Sequence, residues 1–283
     1  TVSRVNAHPL ASIAIPTTET SPPTALMLFI SRTPSVLNPT LDPVDPYSRF
    51  GGQTQYPAAL FCFPFPPARP KIPATTMPLF DSHCHLQDDR LKASLPDVMD
   101  KAQAAGVAGM LCGGTCEADW AAVEDLARRH PPIVPAFGLH PWYMAGRSPA
   151  WLSALRDRLL ACPAAAVGEI GLDHAVEDRH DAEQEEAFLA QMRLAIELNR
   201  PASVHCRRAW SALLDAVHRL GRVPAGFVIH SYSGSAEMLA PLAEAGACFS
   251  FSGSITRPGN RRGHESARAV PLDRMLIETD APD

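Results

Sequence analysis

Long hydrophobic runs are missing from this 283-residue sequence. The longest early one, Ala25-Leu-Met-Leu-Phe-Ile30, falls far short of the ~18 residues that a membrane span needs. It lacks a basic leader and a small-residue cleavage site, so it does not read as a secretory signal either. Paired cysteines are also missing. The seven cysteines are odd in number and scattered, and only Cys112 and Cys116 lie close together. No second pair completes a zinc ligand set. They read as small buried residues of a reducing compartment, which makes the cytoplasm the expected location. Positive charge is scarce as well, with 25 Lys and Arg against 30 Asp and Glu and a net charge of −5. That excludes the broad basic footprint of a duplex-binding protein. Any nucleic-acid contact must rest on local arginines and bound cations.

Residues 1–76 lack a sustained period of 3.6 or 2, yet they hold 14 of the 28 prolines. Phe61-Cys-Phe-Pro-Phe-Pro-Pro67 can continue neither a helix nor a central strand. We read this stretch as a Pro-rich, disordered N-terminal extension. A functional tail, an extension ahead of a natural start at Met77, and a transit peptide stay open. Five basic residues spread over the segment do not form the amphipathic face that the last would need.

From Met77 onward, short apolar runs alternate with helical patterns. The runs are Pro78–Asp81, Val107–Cys112, Ile133–Phe137, Ala164–Val167, Ala202–Val204, Phe227–Ile229, Ala247–Phe251 and Arg274–Ile277. Helices are expected near 117–129, 149–160, 181–199, 209–220 and 236–245. In the third, Asp181 reads as the cap and Gln184 as its capping-box partner. Phe188, Met192, Ala195 and Ile196 form its apolar face. A long polar loop with one helical turn follows the seventh run. Eight strands alternating with helices predict an α/β fold, a (β/α)8 TIM barrel over 77–283. The chain stops at Asp283, just past the eighth strand, so the barrel is expected to lack its last helix. Strands eight and one should then leave apolar surface uncovered.

Chemistry-bearing residues lie near the ends of these runs. His83 and His85 stand two apart, on one side of a strand, where a single ion can take both. Glu169, His205, His230 and Asp280 follow at later strand ends. Singly, each histidine is more often a hydrogen-bonded core residue, and each carboxylate a cap or ion-pair partner. Together they form the ligand set of a metal site at a barrel mouth. Gly168 and Gly171, flanking Glu169, allow tight packing there. Asp173 is placed to hold a ligand from behind. His140 either contacts substrate or caps its own loop. Arg207 follows His205 closely, and Arg257, Arg261 and Arg262 occupy the loop after strand seven, where barrels often bind phosphate. They either position a phosphate backbone, which guanidinium groups suit, or form a solvated basic loop.

Six motifs carry a resemblance. They are Phe80-Asp-Ser-His-Cys-His-Leu86, Gly138-Leu-His-Pro141, Gly168-Glu-Ile-Gly-Leu-Asp173, Val204-His-Cys-Arg207, His230-Ser-Tyr-Ser-Gly234 and Glu278-Thr-Asp-Ala-Pro282. In that order they resemble the TatD family of metal-dependent deoxyribonucleases, among the amidohydrolase-like barrels. The resemblance implies two divalent ions, Zn, Mn or Mg. One would sit on His83, His85 and Asp280 and the other on His205 and His230, with Glu169 bridging or shifting between them. It implies hydrolysis of phosphodiester bonds by a water activated between the ions, with Asp280 as general base and Glu169 catalytic. DNA 3′ ends, single-stranded, would be the substrate; from their positions at the mouth, His140, Arg207, Arg261 and Arg262 are the expected contacts with it. No membrane or protein partner is implied. Two positions depart from the family pattern: Arg208, where an acid is common, and His174, where an aromatic is. Related barrels hydrolyse small esters, lactones or amides with similar ligands, which is one alternative. An inactive truncated fragment is another.

Overall fold

Apolar runs hidden on both faces make parallel strands, because helices cover the outside and side chains fill the inside. The computed structural model describes residues 78–283. The extension expected over 1–76 lies outside the described residues. The strands are β1 (Leu79–Cys84), β2 (Val107–Gly113), β3 (Ile133–Phe137), β4 (Ala166–Asp173), β5 (Ala202–Arg207), β6 (Phe227–Ile229), β7 (Ala247–Phe251) and β8 (Met275–Ile277). They lie in sequence order, each parallel to the next. The helices are α1 (Asp89–Lys92), α2 (Leu95–Ala104), α3 (Trp120–Arg129), α4 (Trp151–Ala161), α5 (Asp181–Glu197), α6 (Trp210–Leu220), α7 (Leu239–Glu244) and α8 (Arg261–Ala269). The fold is a TIM-like barrel whose last described helix precedes β8. Among the described residues, no helix is long and apolar enough to cross a membrane.

The barrel closes between β8 and β1 without a regular ladder. Asp81, buried in β1, accepts hydrogen bonds from the Thr279 backbone N–H (2.9 Å) and the Thr279 hydroxyl (2.6 Å). Ser82 Oγ donates to the Ile277 carbonyl at 2.9 Å. Beyond the strands, the Asp280 N–H donates to the His83 carbonyl (3.0 Å) and the His85 N–H to that of Ala281 (2.7 Å). These bonds bring the segment after β8 against the two histidines of β1. All three residues of β8 are half-buried, whereas β3, β4, β6 and β7 are buried throughout. Leu272, just ahead of β8, is exposed.

Several local readings need correction. Asp181 does not cap α5; it is the first helical residue, and His180 precedes it with φ 46° and no capping side-chain bond. Gln184 makes no capping box. Its Oε1 accepts from the Asp173 N–H at 2.8 Å, and its Nε2 donates to the Asp173 carbonyl at 3.1 Å. One helical period-pair later, Gln191 treats Leu139 the same way, at 2.7 and 3.1 Å. Residues seven apart share a helix face, so α5 turns two amides onto the ends of β4 and β3. Its buried Phe188, Met192 and Ala195 pack as expected, with Ile196 only half-buried. The single turn expected after β7 is a nine-residue helix, α8, capped by the Asn260 side chain. α1 and α2, between β1 and β2, went unassigned in the sequence because neither buries a residue fully.

Candidate metal centre

Strand register explains how the site assembles. β4 and β5 run further than the apolar runs suggested, so Glu169 and His205 sit within strands rather than after them; β1 holds His83 and ends just before His85. Glycines let β4 and β5 approach closely. A Cβ at Gly168 would lie 2.9 Å from Ser203 Cβ, and one at Gly171 only 2.0 Å from the His205 carbonyl oxygen. No side chain fits there, which accounts for the Gly-Glu-Ile-Gly pattern.

Glu169 is 3% exposed and stands at the centre. Its Oε2 lies 3.1 Å from His85 Nε2 and 3.5 Å from His83 Nε2. Its Oε1 lies 2.8 Å from His230 Nε2, 3.3 Å from His205 Nδ1 and 3.3 Å from His140 Nε2. Asp280 Oδ1 stands 3.9 and 4.0 Å from the Nε2 atoms of His83 and His85. The structure thus brings all six expected ligand residues together. It does not divide them into two separate sets. The candidate triplets overlap: His83, His85 and Glu169; His83, His230 and Asp280; His140, Glu169 and His205. His230 stacks on His83, ring centroids 3.9 Å apart.

The far nitrogens determine what each ring offers. His85 Nδ1 faces the Gly113 carbonyl at 2.8 Å, so a proton stays there and Nε2 is the nitrogen left for Glu169 or an ion. His83 Nδ1 meets Ser203 Oγ at 2.9 Å, while its Nε2 approaches that of His85 to 3.1 Å. With Nδ1 of His83 donating to Ser203, its Nε2 faces the Nε2 proton of a charged His85, and a bound cation would take that proton's place. His205 Nε2 donates to Asp173 Oδ2 at 3.1 Å, leaving Nδ1 for Glu169 or a metal. Asp173 also accepts from Trp142 Nε1 (2.7 Å) and the Ala175 N–H (2.7 Å). His140 is wired the other way. Its Nδ1 accepts from the Trp142 N–H at 3.2 Å, so the proton lies on Nε2, facing Glu169. His140 therefore caps its loop and also points a donor into the site. His230 Nδ1 is buried without a hydrogen-bond partner, its nearest carboxylate being Glu278 at 3.9 Å. The donor set of imidazoles and carboxylates fits Zn²⁺ or Mn²⁺.

Electrostatics follow burial and the central carboxylate. Burial and the neighbouring His230 push His83 down to about 3. Burial opposes charge on His85 too, but the Glu169 hydrogen bond and charge outweigh it and raise its pKa to about 10. His205 rises to about 9 in the same way, against burial, through Asp173 and Glu169. Burial would raise Glu169; the surrounding imidazoles, His140 and His230 foremost, hold it well below the usual range. Burial raises Glu278 to about 7.

Three arginines gather in one cleft, one of them two residues beyond His205 on β5. Arg207, Arg208 and Arg262, with Trp210, Ser233, Asn260 and Gly263, line an open cleft of about 450 Å³. No carboxylate lines it. Arg257 and Arg261 lie outside the lining, and His174 faces Asp181 at 3.6 Å. The sequence pattern assigned no role to Asp81, Trp142, Gln191 or Glu278, and a different one to Gln184. A charged Asp81 inside an apolar run was the one local signal among them; the others act through contacts distant in sequence.

The family model for TatD-related DNases matches residues 80–283. A metal-dependent hydrolase of Escherichia coli K12, YcfH, is 32% identical over 207 residues, covering 72% of this chain and 77% of its own. A protein of Escherichia fergusonii named 3′-5′ ssDNA/RNA exonuclease TatD is 32% identical over 212 residues, 72% of this chain and 79% of its own. Among solved structures, the TatD homologue YjjV of E. coli K12 superposes with a TM-score of 0.69 at 30% identity, over 72% of this chain and 80% of that one. A match across the whole barrel, with its motifs gathered around one buried carboxylate, makes this chain a metal-dependent hydrolase of the TatD-related DNase family.

Proposed function

We propose that this hydrolase cleaves phosphodiester bonds in nucleic acid, removing nucleotides from the 3′ end of single-stranded DNA. The observation that carries the reading is Glu169, with one oxygen toward His83 and His85 and the other toward His205 and His230. A carboxylate so placed suits a pair of divalent ions. His83, His85 and Asp280 would hold one, His205 and His230 would hold the other, and Glu169 faces both groups of imidazoles. When bound, the ions supply Lewis acidity toward phosphoryl oxygens and lower the pKa of a water ligand. The protein's own residues do the rest. Asp280, the most exposed carboxylate of the group at 23%, accepts the proton of the attacking water. His140 donates to Glu169 and keeps its carboxylate turned toward the other imidazoles. Asp173 holds His205 in the tautomer that frees Nδ1.

The arginine cleft supports a phosphate-bearing substrate. Arg207 lies two residues beyond His205 on β5, within about 7 Å along the strand. Arg208 makes the cleft more basic than the family pattern implies. A few phosphate contacts suit an enzyme that works at strand ends better than one that grips long duplex. The exonuclease name of the E. fergusonii relative points the same way. The free thiols of the six described cysteines accord with the cytoplasm as its setting.

The test is incubation of the purified chain with 3′-labelled single-stranded DNA and Mg²⁺, Mn²⁺ or Zn²⁺, beside Asp280→Asn. Metal-dependent loss of 3′ nucleotides, absent in the variant, is expected. Metal binding without DNA cleavage, but with turnover of a lactone or amide, would replace the nuclease reading by a small-substrate hydrolase. A chain that binds no metal would overturn both.

A further inference from the structure

Only four large apolar side chains are exposed among the described residues, and two of them are neighbours at the barrel mouth: Trp142 (54%) and Tyr143 (43%). They lie in the short 3-10 turn Pro141–Gly146 that follows β3 and His140. Trp142 is exposed yet not loose. Its indole N–H donates at 2.7 Å to Asp173, the same carboxylate oxygen that receives His205. Its ring centroid lies 5.0 Å from that of His140 and 6.3 Å from that of His205. A large flat apolar surface is thus held open to solvent, in one orientation, beside the imidazoles that surround Glu169.

We infer that Trp142 is a stacking platform for a nucleobase of the substrate, the one carried by the nucleotide whose phosphate reaches the metal centre. The inference rests on the nucleic-acid reading above and adds a base contact to it. Every base has a π face, so stacking on an aromatic ring tolerates sequence, as an end-trimming enzyme requires. The Asp173 bond fixes the ring before substrate arrives, so little side-chain freedom is lost on binding. The proximity of His140 and His205 means that a base on the open face of Trp142 leaves its phosphate beside the Glu169 cluster. Tyr143, with its ring 6.3 Å from that of His140, borders the same opening. The arginine cleft holds phosphates, and the indole holds a base; together they select a polynucleotide over a small phosphodiester.

The test measures affinity, separately from cleavage. A 5′-fluorescein thymidine trinucleotide with phosphorothioate linkages, which slow hydrolysis, is titrated with the full chain in Mn²⁺ and followed by anisotropy. A second trinucleotide has an abasic 3′ residue. The wild-type protein is expected to bind the intact one about tenfold more tightly, a typical stacking effect. Trp142→Ala is expected to remove that preference. Trp142→Phe, which keeps a ring and loses the Asp173 bond, is expected to keep most of it. Equal wild-type affinity for the two trinucleotides, or no binding of either, overturns the inference. So does a Trp142→Phe protein that behaves like Trp142→Ala, since the indole would then serve only to position Asp173. A base preference in a protein that does not cleave DNA would sustain the platform and refute the nuclease reading.

Discussion

Asp173→Asn tests whether the hydrogen-bond wiring behind the site sets its metal affinity. Asp173 is fully buried and its carboxylate accepts three bonds, from His205 Nε2, Trp142 Nε1 and the Ala175 N–H. An asparagine keeps one acceptor oxygen and turns an NH₂ toward the other side. Facing Ala175, that oxygen leaves His205 and Trp142 opposed by a donor; facing His205, it leaves Ala175 so. At least one buried donor goes unpaired, which costs ~1–3 kcal/mol. For a barrel of this size that corresponds to a Tm lower by about 2–12 °C. Where the NH₂ meets His205, the ring takes the other tautomer and Nδ1 no longer offers a lone pair. Metal affinity is then expected to fall by about 10–100-fold. Hydrogen bonds from His205, Ala175 and Trp142 hold the Asp173 carboxyl below its usual range, although burial acts to raise it. A depressed pKa contributes stability that is complete above about pH 4 and fades on acidification. The gap in Tm between wild type and variant should therefore shrink as pH falls toward 3. The assays are titration calorimetry with Zn²⁺ or Mn²⁺ and thermal melts across pH. An Asp173→Asn protein with wild-type metal affinity and a cooperative melt would refute the wiring argument.

Two further outcomes follow from packing and charge. Gly171→Ala places a Cβ 2.0 Å from a backbone oxygen of β5, at φ 153°, so overlap and backbone strain together should cost roughly 3 kcal/mol or more. Gly253→Ala, with no heavy atom within 4 Å of the new Cβ, should leave Tm almost unchanged, and equal effects in the two melts would contradict the close approach of β4 and β5. Burial raises Glu278 from 4.5 to about 7, so its contribution to stability is full below about pH 4.5 and is lost as pH rises through 7. With metal chelated, Glu278→Gln should gain on wild type by up to ~3 kcal/mol between pH 4.5 and 8, and a constant difference over that range would dismiss the shift.

The barrel was legible because its signals are local. Eight apolar runs at regular intervals, separated by helical patterns, specify strand order whatever the tertiary detail. The residues of the candidate site were legible for a related reason: barrel strands deliver their ends to one mouth, which is where His83, Glu169, His205, His230 and Asp280 meet. Strand ends were less legible, since β1, β4 and β5 continue through polar residues once neighbours supply hydrogen bonds. Gln184 shows the same limit. Its position three after Asp181 satisfied a capping pattern, yet the amide bonds Asp173 instead, because burying it beside that backbone satisfies both groups.

Sequence alone determined the repeat, the residue types at the mouth and the family likeness, all of which depend on order along the chain. Only the tertiary structure decided which nitrogen of each imidazole faces Glu169, that His140 points a donor inward, and that Asp81 clasps Thr279 across the closing seam. It also decided that Arg208 and Arg262 share one cleft while Arg261 stands apart. Apart from the local Trp142–His140 bond, these outcomes depend on distances of a few ångströms between groups tens to nearly two hundred residues apart. Residue order carries no record of them, because a hydrogen bond is set by where two atoms arrive, and that is settled only when the barrel closes.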